Sequence, residues 1–211
     1  MSHEIKNPLM IMRASAESLK KESNKPEADF ILEEVDRLNQ IVSGYLDFAS
    51  GKLLLKTEKT DIAALISDII SKFSPQFQEK NISLKSDIEK SGNENILVTA
   101  DPIALRQVFI NLILNASEAV TECNHPEILI IVRPETDRVN IAVSDNGPGI
   151  NPKELKNIFE PFYTTKTKGS GLGLFHTRKL IEAMGGMINI KQENKKRTKF
   201  VLSLPTADKD K

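Results

Sequence analysis

The sequence predicts an α+β protein in which an N-terminal helical hairpin precedes a layer of helices packed on a mixed β-sheet. Apolar residues recur every three or four positions over residues 1–52, which is the period of amphipathic helices. Beyond residue 60, helical segments and alternating strand-like segments follow one another without a strict strand–helix–strand rhythm. We therefore predict a hairpin domain over residues 1–52, a linker over 53–60, a second domain over 61–206 and a tail over 207–211.

Composition and charge exclude several classes of protein. The chain has 211 residues, and its 29 basic and 29 acidic side chains cancel, so net charge does not indicate nucleic acid or an anionic membrane as a partner. No apolar run approaches the roughly 18 residues of a membrane span, and no signal peptide is visible. Cys123 is the only cysteine, which precludes an intrachain disulfide and agrees with a reducing, cytoplasmic compartment.

The hairpin is predicted from two periodic runs separated by "KESNKPEAD", whose Ser, Asn and Pro residues favour a turn. The apolar positions of the first run are Ile5, Leu9, Met12, Ala16 and Leu19, and those of the second include Ile31, Val35, Leu38, Val42 and Leu46. Two amphipathic helices alone bury their apolar faces poorly, whereas two hairpins together form a four-helix bundle. We therefore expect a homodimer, although the hairpin could instead pack against the second domain of the same chain.

The second domain is read as a series of helices and strands. "GKLLLKTEKTD" is a linker or a first short strand, and "IAALISDIISKFSPQF", "DPIALRQVFINLILNASEAV" and "GLFHTRKLIEAM" have helical periodicity. The predicted strands are "NISLKSDI", "NILVTA", "EILIIVRP" and "RVNIAVSDN", and "MINIKQEN" with "TKFVLSLP" forms a closing hairpin.

Two glycine-rich segments are candidates for ligand binding. In "DNGPGI" a predicted strand ends at Val143, and Asp145 is followed by Gly147 and Gly149. Glycine lets the backbone approach a ligand, and a carboxylate at a strand end can accept a hydrogen bond from a purine amino group, but D-x-G-x-G also forms ordinary turns. In "GSGLGL", Gly169, Gly171 and Gly173 precede a helix whose N–H groups could bind phosphate.

Two further segments lie near these glycines in the sequence. In "NLILNASEA", Asn111 and Asn115 share one helix face, and amide oxygens suit Mg²⁺, although a plain polar stripe explains two asparagines equally well. In "FEPFYTTKTK", Phe159 and Phe162 flank a proline in a polar stretch. These aromatic residues could hold the ends of a mobile lid, or could form a small satellite core.

The order of these four segments resembles the ATP-binding domain of sensor histidine kinases, whose superfamily includes gyrase, Hsp90 and MutL. The corresponding family motifs are the N box "NLILNA", the G1 box "DNGPG", the F box "FEPFYTTK" and the G2 box "GSGLGLF". The resemblance covers nearly the whole chain. It implies a Bergerat-type α/β sandwich that binds ATP and Mg²⁺.

The resemblance also implies roles for single residues. Asp145 corresponds to the residue that binds the adenine amino group, Asn115 to a Mg²⁺ ligand, and Asn111 to a residue near the phosphates. Thr198 in "RTKF" matches an adenine-contacting threonine, but Arg197 stands where a glycine usually precedes it. The remaining residues implied to bind the nucleotide are Gly147, Gly149, Phe159, Lys166, Gly169, Gly171, Leu172 and Gly173.

The start of the chain, "SHEIKNPL", resembles the phosphoacceptor H box of the same family. His3 corresponds to the phosphorylated residue, and neutral imidazole is a competent nucleophile at pH 7. Glu4 corresponds to the general base, and Asn7 to the residue that orients water for dephosphorylating the partner's aspartate. Pro8 lacks an N–H group and is expected to bend the helix just beyond this turn.

Together these features predict an autophosphorylating histidine kinase core that passes its phosphoryl group to a response-regulator receiver domain. The "HEIKNPL" form is most similar to the nitrogen-regulation subgroup. An ATP-driven conformational switch, a serine kinase that binds a regulator, and a catalytically silent scaffold or net phosphatase are the alternatives. Since only two residues precede His3 and no sensor domain is visible, we expect the chain to be a fragment of a longer sensor protein.

Overall fold

The computed structural model describes residues 2–23, 31, 32, 35, 38, 54–89, 95–166, 169–193 and 197–207. The chain divides into two compact units, one formed by residues 1–53 with 160–176 and the other by residues 54–159 with 177–211. No helix in the part of the chain that the structure describes is long and apolar enough to cross a membrane.

The first unit contains helix α1 (Ser2–Ser23), as the periodicity predicts. Ala16 is buried and an Arg13–Glu17 ion pair at 3.0 Å spans one turn, whereas Met10, Ile11 and Leu19 are exposed. The helix extends three residues into the predicted "KESNKPEAD" turn, and the rest of that turn lies outside the described residues. Of the predicted second helix, the structure describes only residues 31, 32, 35 and 38, and all four are helical.

The second unit is built on a five-stranded mixed sheet with strand order β2-β4-β5-β7-β6. These strands are β2 (Ser83–Ile88), β4 (Glu127–Pro134), β5 (Arg138–Asp145), β6 (Met187–Glu193) and β7 (Arg197–Pro205), and of their four pairings the β2–β4 pair is parallel and the others are antiparallel. A separate antiparallel pair joins β1 (Glu58–Asp61) to β3 (Leu97–Ala100). The predicted mixed sheet, its closing hairpin and the α+β class are confirmed.

Helices cover one face of this sheet. Helix α2 (Ile62–Glu79) packs on β2, and α3 (Pro102–Ala119) packs on β4 and β5. Every second residue of β4, from Ile128 to Val132, is fully buried on the helix side, while the residues between them are partly exposed. This alternation is the period-two signal from which the strand is predicted, and it places the core between helices and sheet.

Aspartates fix the starts of both packed helices. The Asp61 carboxylate accepts the amides of Ala63 and Ala64, at 2.9 and 3.3 Å, and thereby caps α2. The Asp101 carboxylate caps α3, and Pro102 occupies the first position of that helix, where a missing N–H group costs nothing. A further helix, α4 (Gly173–Ala183), begins in the first unit and continues in the second.

Candidate functional site

A buried carboxylate ends the central strand of the sheet. Asp145 is only 3% exposed and pairs with Ile128 of β4 and Thr198 of β7. Two ends were predicted for this strand, Val143 and, in the segment "RVNIAVSDN", Asn146, and β5 ends between them at Asp145. Ser144 and Asp145 are polar yet buried, so the alternation of apolar residues does not reveal where the strand ends.

Burial raises the pKa of the Asp145 carboxyl above its ordinary value near 3.8. Hydrogen bonds from the backbone amides of Gly147 and Thr198, and the positive charge of Arg197, lower this pKa but only partly offset the loss of water. The Gly147 amide lies 2.9 Å from Asp145 Oδ1. The carboxylate is thus held by backbone donors in a site where an incoming polar hydrogen would gain a strong partner.

The two glycines after Asp145 are required by local geometry. A Cβ atom on Gly147 would lie 2.8 Å from Asp145 Oδ1 and 2.9 Å from the carbonyl oxygen of Ala119, at the end of α3. Gly149 has a φ of 82°, which side chains other than glycine rarely adopt. The turn therefore lies directly against the end of the asparagine helix, which joins two of the segments singled out in the sequence.

The asparagines of α3 lie one turn apart and are both half-buried. The Asn111 Nδ2 donates a hydrogen bond of 2.9 Å to Thr177 Oγ1, and Thr177 is 1% exposed on α4. This contact orients the Asn111 amide and leaves its oxygen to accept. Thr177 is 66 residues away along the chain, and the sequence analysis did not find it because nothing local indicates the pairing.

Polar residues around Asp145 form a row across three strands. Asn146 Oδ1 accepts the Glu127 amide at 2.8 Å, and Asn146 Nδ2 donates to the His125 carbonyl at 2.6 Å. Arg197 Nη2 lies 3.4 Å from Glu127 Oε2. Thr198, next to Arg197, is 3% exposed beside Asp145. The strand register thus brings the two predicted adenine-contacting residues together and places an unusual arginine beside them.

Phe159 makes packing contacts within the second unit. Its ring meets that of Phe200 of β7 edge-on, with centroids 6.4 Å apart, and the Arg178 guanidinium lies 5.8 Å from its centroid. Phe162 is 56% exposed, and the predicted role of the two rings in holding the ends of a lid stays a prediction. The predicted contact of Phe159 with a nucleotide also stays a prediction.

The glycine loop belongs to the first unit and closes on itself. Phe162 has a φ of 65°, and a Cβ atom on Gly171 would lie 2.6 Å from its carbonyl oxygen and closer still to its carbonyl carbon. A Cβ atom on Gly169 would clash with Thr164 Oγ1, which accepts the Lys166 amide at 3.1 Å. Gly171 is therefore needed for two backbone segments to touch, whereas Gly169 leaves room for the Thr164 side chain.

The same loop leads into α4. Leu172 is buried, and its carbonyl accepts the His176 amide at 2.8 Å in the first turn of the helix. Gly173 is the first residue of α4, as in the predicted helical segment "GLFHTRKLIEAM". Lys166 is exposed.

His3, Glu4 and Asn7 all lie in α1, so their helical placement agrees with the sequence analysis. Their side chains fall outside the part of the chain that the structure describes. Positions 3 and 7 are one helical turn apart, which puts them on one face of α1.

Comparisons with known proteins bring these observations together. Residues 100–208 match the family described as histidine kinase-, DNA gyrase B- and HSP90-like ATPase, and residues 1–52 match the His kinase A (phospho-acceptor) domain. Sporulation kinase A of Bacillus subtilis (strain 168) is 33% identical over 97% of this chain, which spans 33% of that kinase.

Two solved structures are similar over almost the whole chain. Full-length ShkA in complex with AMPPNP is 28% identical with a TM-score of 0.76, and covers 98% of this chain, which spans 44% of ShkA. Histidine kinase ThkA in complex with the response regulator TrrA is 29% identical with a TM-score of 0.69, over 97% of this chain and 59% of that chain. The match to residues 100–208 shows that the chain belongs to the histidine kinase-, DNA gyrase B- and HSP90-like ATPase family, here behind a segment that matches the phospho-acceptor domain.

Proposed function

We propose that this chain is an ATP-dependent histidine kinase core that phosphorylates its own His3 and passes the phosphoryl group to an aspartate of a response regulator. The observation that carries the proposal is the buried Asp145 carboxylate, held by Gly147 and Thr198 in a domain that follows a phospho-acceptor helix. A domain that binds ATP and a segment that can accept its phosphate are thus present in one chain.

The adenine ring is proposed to bind at Asp145. The carboxylate accepts the exocyclic amine of the base, and Thr198 supplies a neighbouring buried polar group. Gly147 and Gly149 let the backbone pass close to the ring plane. The AMPPNP complex of ShkA supports a nucleotide as the ligand of this domain.

Mg²⁺ and the triphosphate are proposed to bind at the asparagine helix and the glycine loop. Asn115 supplies an amide oxygen to Mg²⁺, which retains waters and phosphate oxygens as its other ligands. Asn111, oriented by Thr177, contacts the phosphates. The remaining phosphate contacts come from the loop and the N-terminal amides of α4; the residues proposed here are Phe159, Lys166, Gly169, Gly171, Leu172 and Gly173.

Phosphoryl transfer then depends on positioning and charge neutralisation. Glu4 takes a proton from one imidazole nitrogen of His3 while the other nitrogen attacks the γ-phosphorus, the bond to the β–γ bridging oxygen breaks, and ADP leaves. Asn7 orients a water that later hydrolyses the phosphoaspartate of the partner. The ThkA–TrrA complex supports a receiver domain as that partner.

The proposal extends to assembly and location. The exposed apolar residues of α1, among them Met10, Ile11 and Leu19, support a homodimeric four-helix bundle formed by two hairpins. The same proposal includes a hairpin domain that ends at residue 52, an ATP-binding domain that begins at residue 61, and membership of the nitrogen-regulation subgroup. It also places the protein in the cytoplasm, where receiver domains and ATP are found. The phospho-acceptor match disfavours a pure conformational switch.

Labelling with radioactive ATP tests the proposed function. The protein is incubated with γ-labelled ATP and Mg²⁺, and the label is then challenged with acid and with base. Label that is lost in acid, kept in base and transferred to receiver domains is the expected result. Acid-stable label indicates a serine or threonine kinase, and ATP turnover without any protein label indicates a conformational switch, so either outcome overturns the proposal.

A further inference from the structure

The Asp101 carboxylate accepts hydrogen bonds from two separate segments of the chain. Asp101 Oδ1 accepts the amides of Ile103 and Ala104 at 2.9 and 3.0 Å, which caps α3. Its other oxygen, Oδ2, accepts the backbone amide of Lys56 at 2.8 Å, from 45 residues earlier in the chain. Asp61 caps α2 through the same pair of following amides. Asp101 therefore does more than start a helix.

The bound amide lies in the segment between the two family domains. Lys56 falls after the phospho-acceptor match, which ends at residue 52, and before the ATPase match, which begins at residue 100. Immediately after it, Glu58 pairs with Ala100, and Thr60 Oγ1 donates to the Ala100 carbonyl at 3.2 Å. The predicted linker over 53–60 is thus attached to the ATP-binding domain from Lys56 onward.

The electrostatics of Asp101 agree with a charged, well-bonded acceptor. Partial burial raises its pKa, but hydrogen bonds from the amides of Ala104, Lys56 and Ile103 outweigh that effect, so the pKa lies below its ordinary value. Oδ1 accepts the amides of the helix cap and Oδ2 accepts the amide of the linker. A substitution can therefore remove the linker bond and keep the cap. An asparagine still caps through its oxygen, but presents an N–H₂ group to the Lys56 amide.

We propose that Asp101 is a positioning residue for autophosphorylation, which acts by fixing the point where the linker leaves the ATP-binding domain. The inference rests on the proposed function and adds a residue that affects the rate of autophosphorylation. A tethered reaction depends on the length and stiffness of its tether and on the alignment of its reactants. Release of Lys56 lengthens the free linker and broadens the orientations available to the ATP-binding domain, so the transfer to His3 slows while ATP binding does not change.

The hydrogen bond can be removed from either end. Asp101→Asn removes the acceptor, and Lys56→Pro removes the donor while leaving the Asp101 cap in place. Lys56→Ala keeps the N–H group and controls for the loss of the lysine charge, and Asp61→Asn applies the same substitution to the other helix cap. Autophosphorylation rates at saturating ATP, ADP affinity by calorimetry, and amide exchange at residues 56 and 57 are measured for the full chain.

The expected result is a loss of about threefold or more in labelling rate for Asp101→Asn and Lys56→Pro, with parental ADP affinity. The Lys56 amide should exchange faster in Asp101→Asn, because it loses its acceptor. The double variant should lose no more than either single one, because both remove the same bond. Lys56→Ala and Asp61→Asn should keep the parental rate.

Four outcomes overturn the inference. Unchanged exchange in Asp101→Asn shows that the bond does not hold the linker, and faster exchange with a parental labelling rate shows that the anchor does not affect transfer. Weakened ADP binding in parallel with the rate shows a general structural role. A parental protein that gains no label refutes the proposed function and the role of Asp101 in it, whereas the exchange data still decide whether Asp101 holds the linker.

Discussion

The amide of Gly147 donates a hydrogen bond of 2.9 Å to the carboxylate of Asp145, two residues earlier in the chain. A Cβ atom on Gly147 would lie 2.8 Å from that same oxygen. The carboxylate can therefore keep this position only if the residue two places on has no side chain. The spacing of the D-x-G motif follows from this contact, and the motif supplies a buried hydrogen-bond acceptor.

Asp145→Asn should weaken ADP binding by roughly 5- to 150-fold, which corresponds to the 1–3 kcal/mol cost of a mispaired buried polar group. The amide has one accepting oxygen where the carboxylate has two, and the backbone amides of Gly147 and Thr198 already donate to this side chain. Isothermal calorimetry of the purified variant measures the effect. An affinity equal to that of the parent would move the adenine site elsewhere.

The same substitution should change how stability depends on pH. The pKa of Asp145 is raised in the folded protein, so the folded state binds more protons than the unfolded state between the two pKa values. The parent therefore loses stability as pH rises from about 4 through the folded-state pKa, whereas the asparagine of the variant does not titrate and loses none. Thermal melts without nucleotide, from about pH 4 to pH 8, should show the stability of the parent falling relative to that of Asp145→Asn as pH rises. A difference in stability that does not change with pH contradicts the cost of burying this carboxylate.

Gly171 and Gly185 form a matched pair for the glycine loop. Both have positive φ, at 67° and 71°, so alanine is strained at either position. Only at Gly171 does the added Cβ meet a backbone, that of Phe162, whereas at Gly185 the nearest atom is Pro205 Cγ at 3.8 Å. Gly171→Ala should therefore reduce autophosphorylation about tenfold or more by opening the loop, while Gly185→Ala costs about 1 kcal/mol of stability. Equal labelling rates for the two variants would show that the Phe162 contact has no functional role.

Local periodicity predicted the elements whose two faces differ. Strand β4 matches the predicted segment "EILIIVRP" residue for residue, because its buried and partly exposed side chains alternate. The end of β5 was predicted at two places, Val143 and Asn146, because Ser144 and Asp145 are buried polar residues that a hydrophobic pattern does not assign to a strand.

Contacts between distant parts of the chain were not predictable in the same way. The Asn111–Thr177 and Asp101–Lys56 hydrogen bonds join residues 66 and 45 positions apart. Neither segment carries a local signal of its partner, because the contact exists only after the strands and helices have packed. The resemblance supplied Asp145 and the glycines, but it did not supply these orienting partners.

His3→Gln should abolish autophosphorylation and leave ADP affinity within about twofold of the parent. Glutamine keeps a polar side chain on α1 but has no nucleophilic ring nitrogen, and Asp145 lies in a different unit of the chain. Label assays and calorimetry on the same preparation separate the two effects. A variant that still gains acid-labile label would place the phosphoacceptor at another residue, and His125 and His176 are the remaining histidines.

Asn7→Ala should spare autophosphorylation and slow dephosphorylation of the partner about tenfold or more. Asn7 lies one turn after His3 in α1, so the two positions share one helix face. An amide at that distance can hold a water in line with a phosphoaspartate, whereas attack of imidazole on ATP needs no water. The two reactions should therefore separate at this residue.

The decisive comparison uses three proteins with one phosphorylated receiver domain at fixed concentration. Asn7→Ala removes the amide, Asn7→Gln retains it on a longer side chain, and Lys6→Ala alters a neighbouring position that lies about 100° away around the helix. The loss of phosphatase rate should be largest for Asn7→Ala, partly restored in Asn7→Gln and absent in Lys6→Ala, with labelling by ATP near the parental rate in all three. Equal phosphatase rates for Asn7→Ala and the parent would remove Asn7 from this reaction, and a matching fall in labelling would instead show that the substitution disturbs the helix around His3.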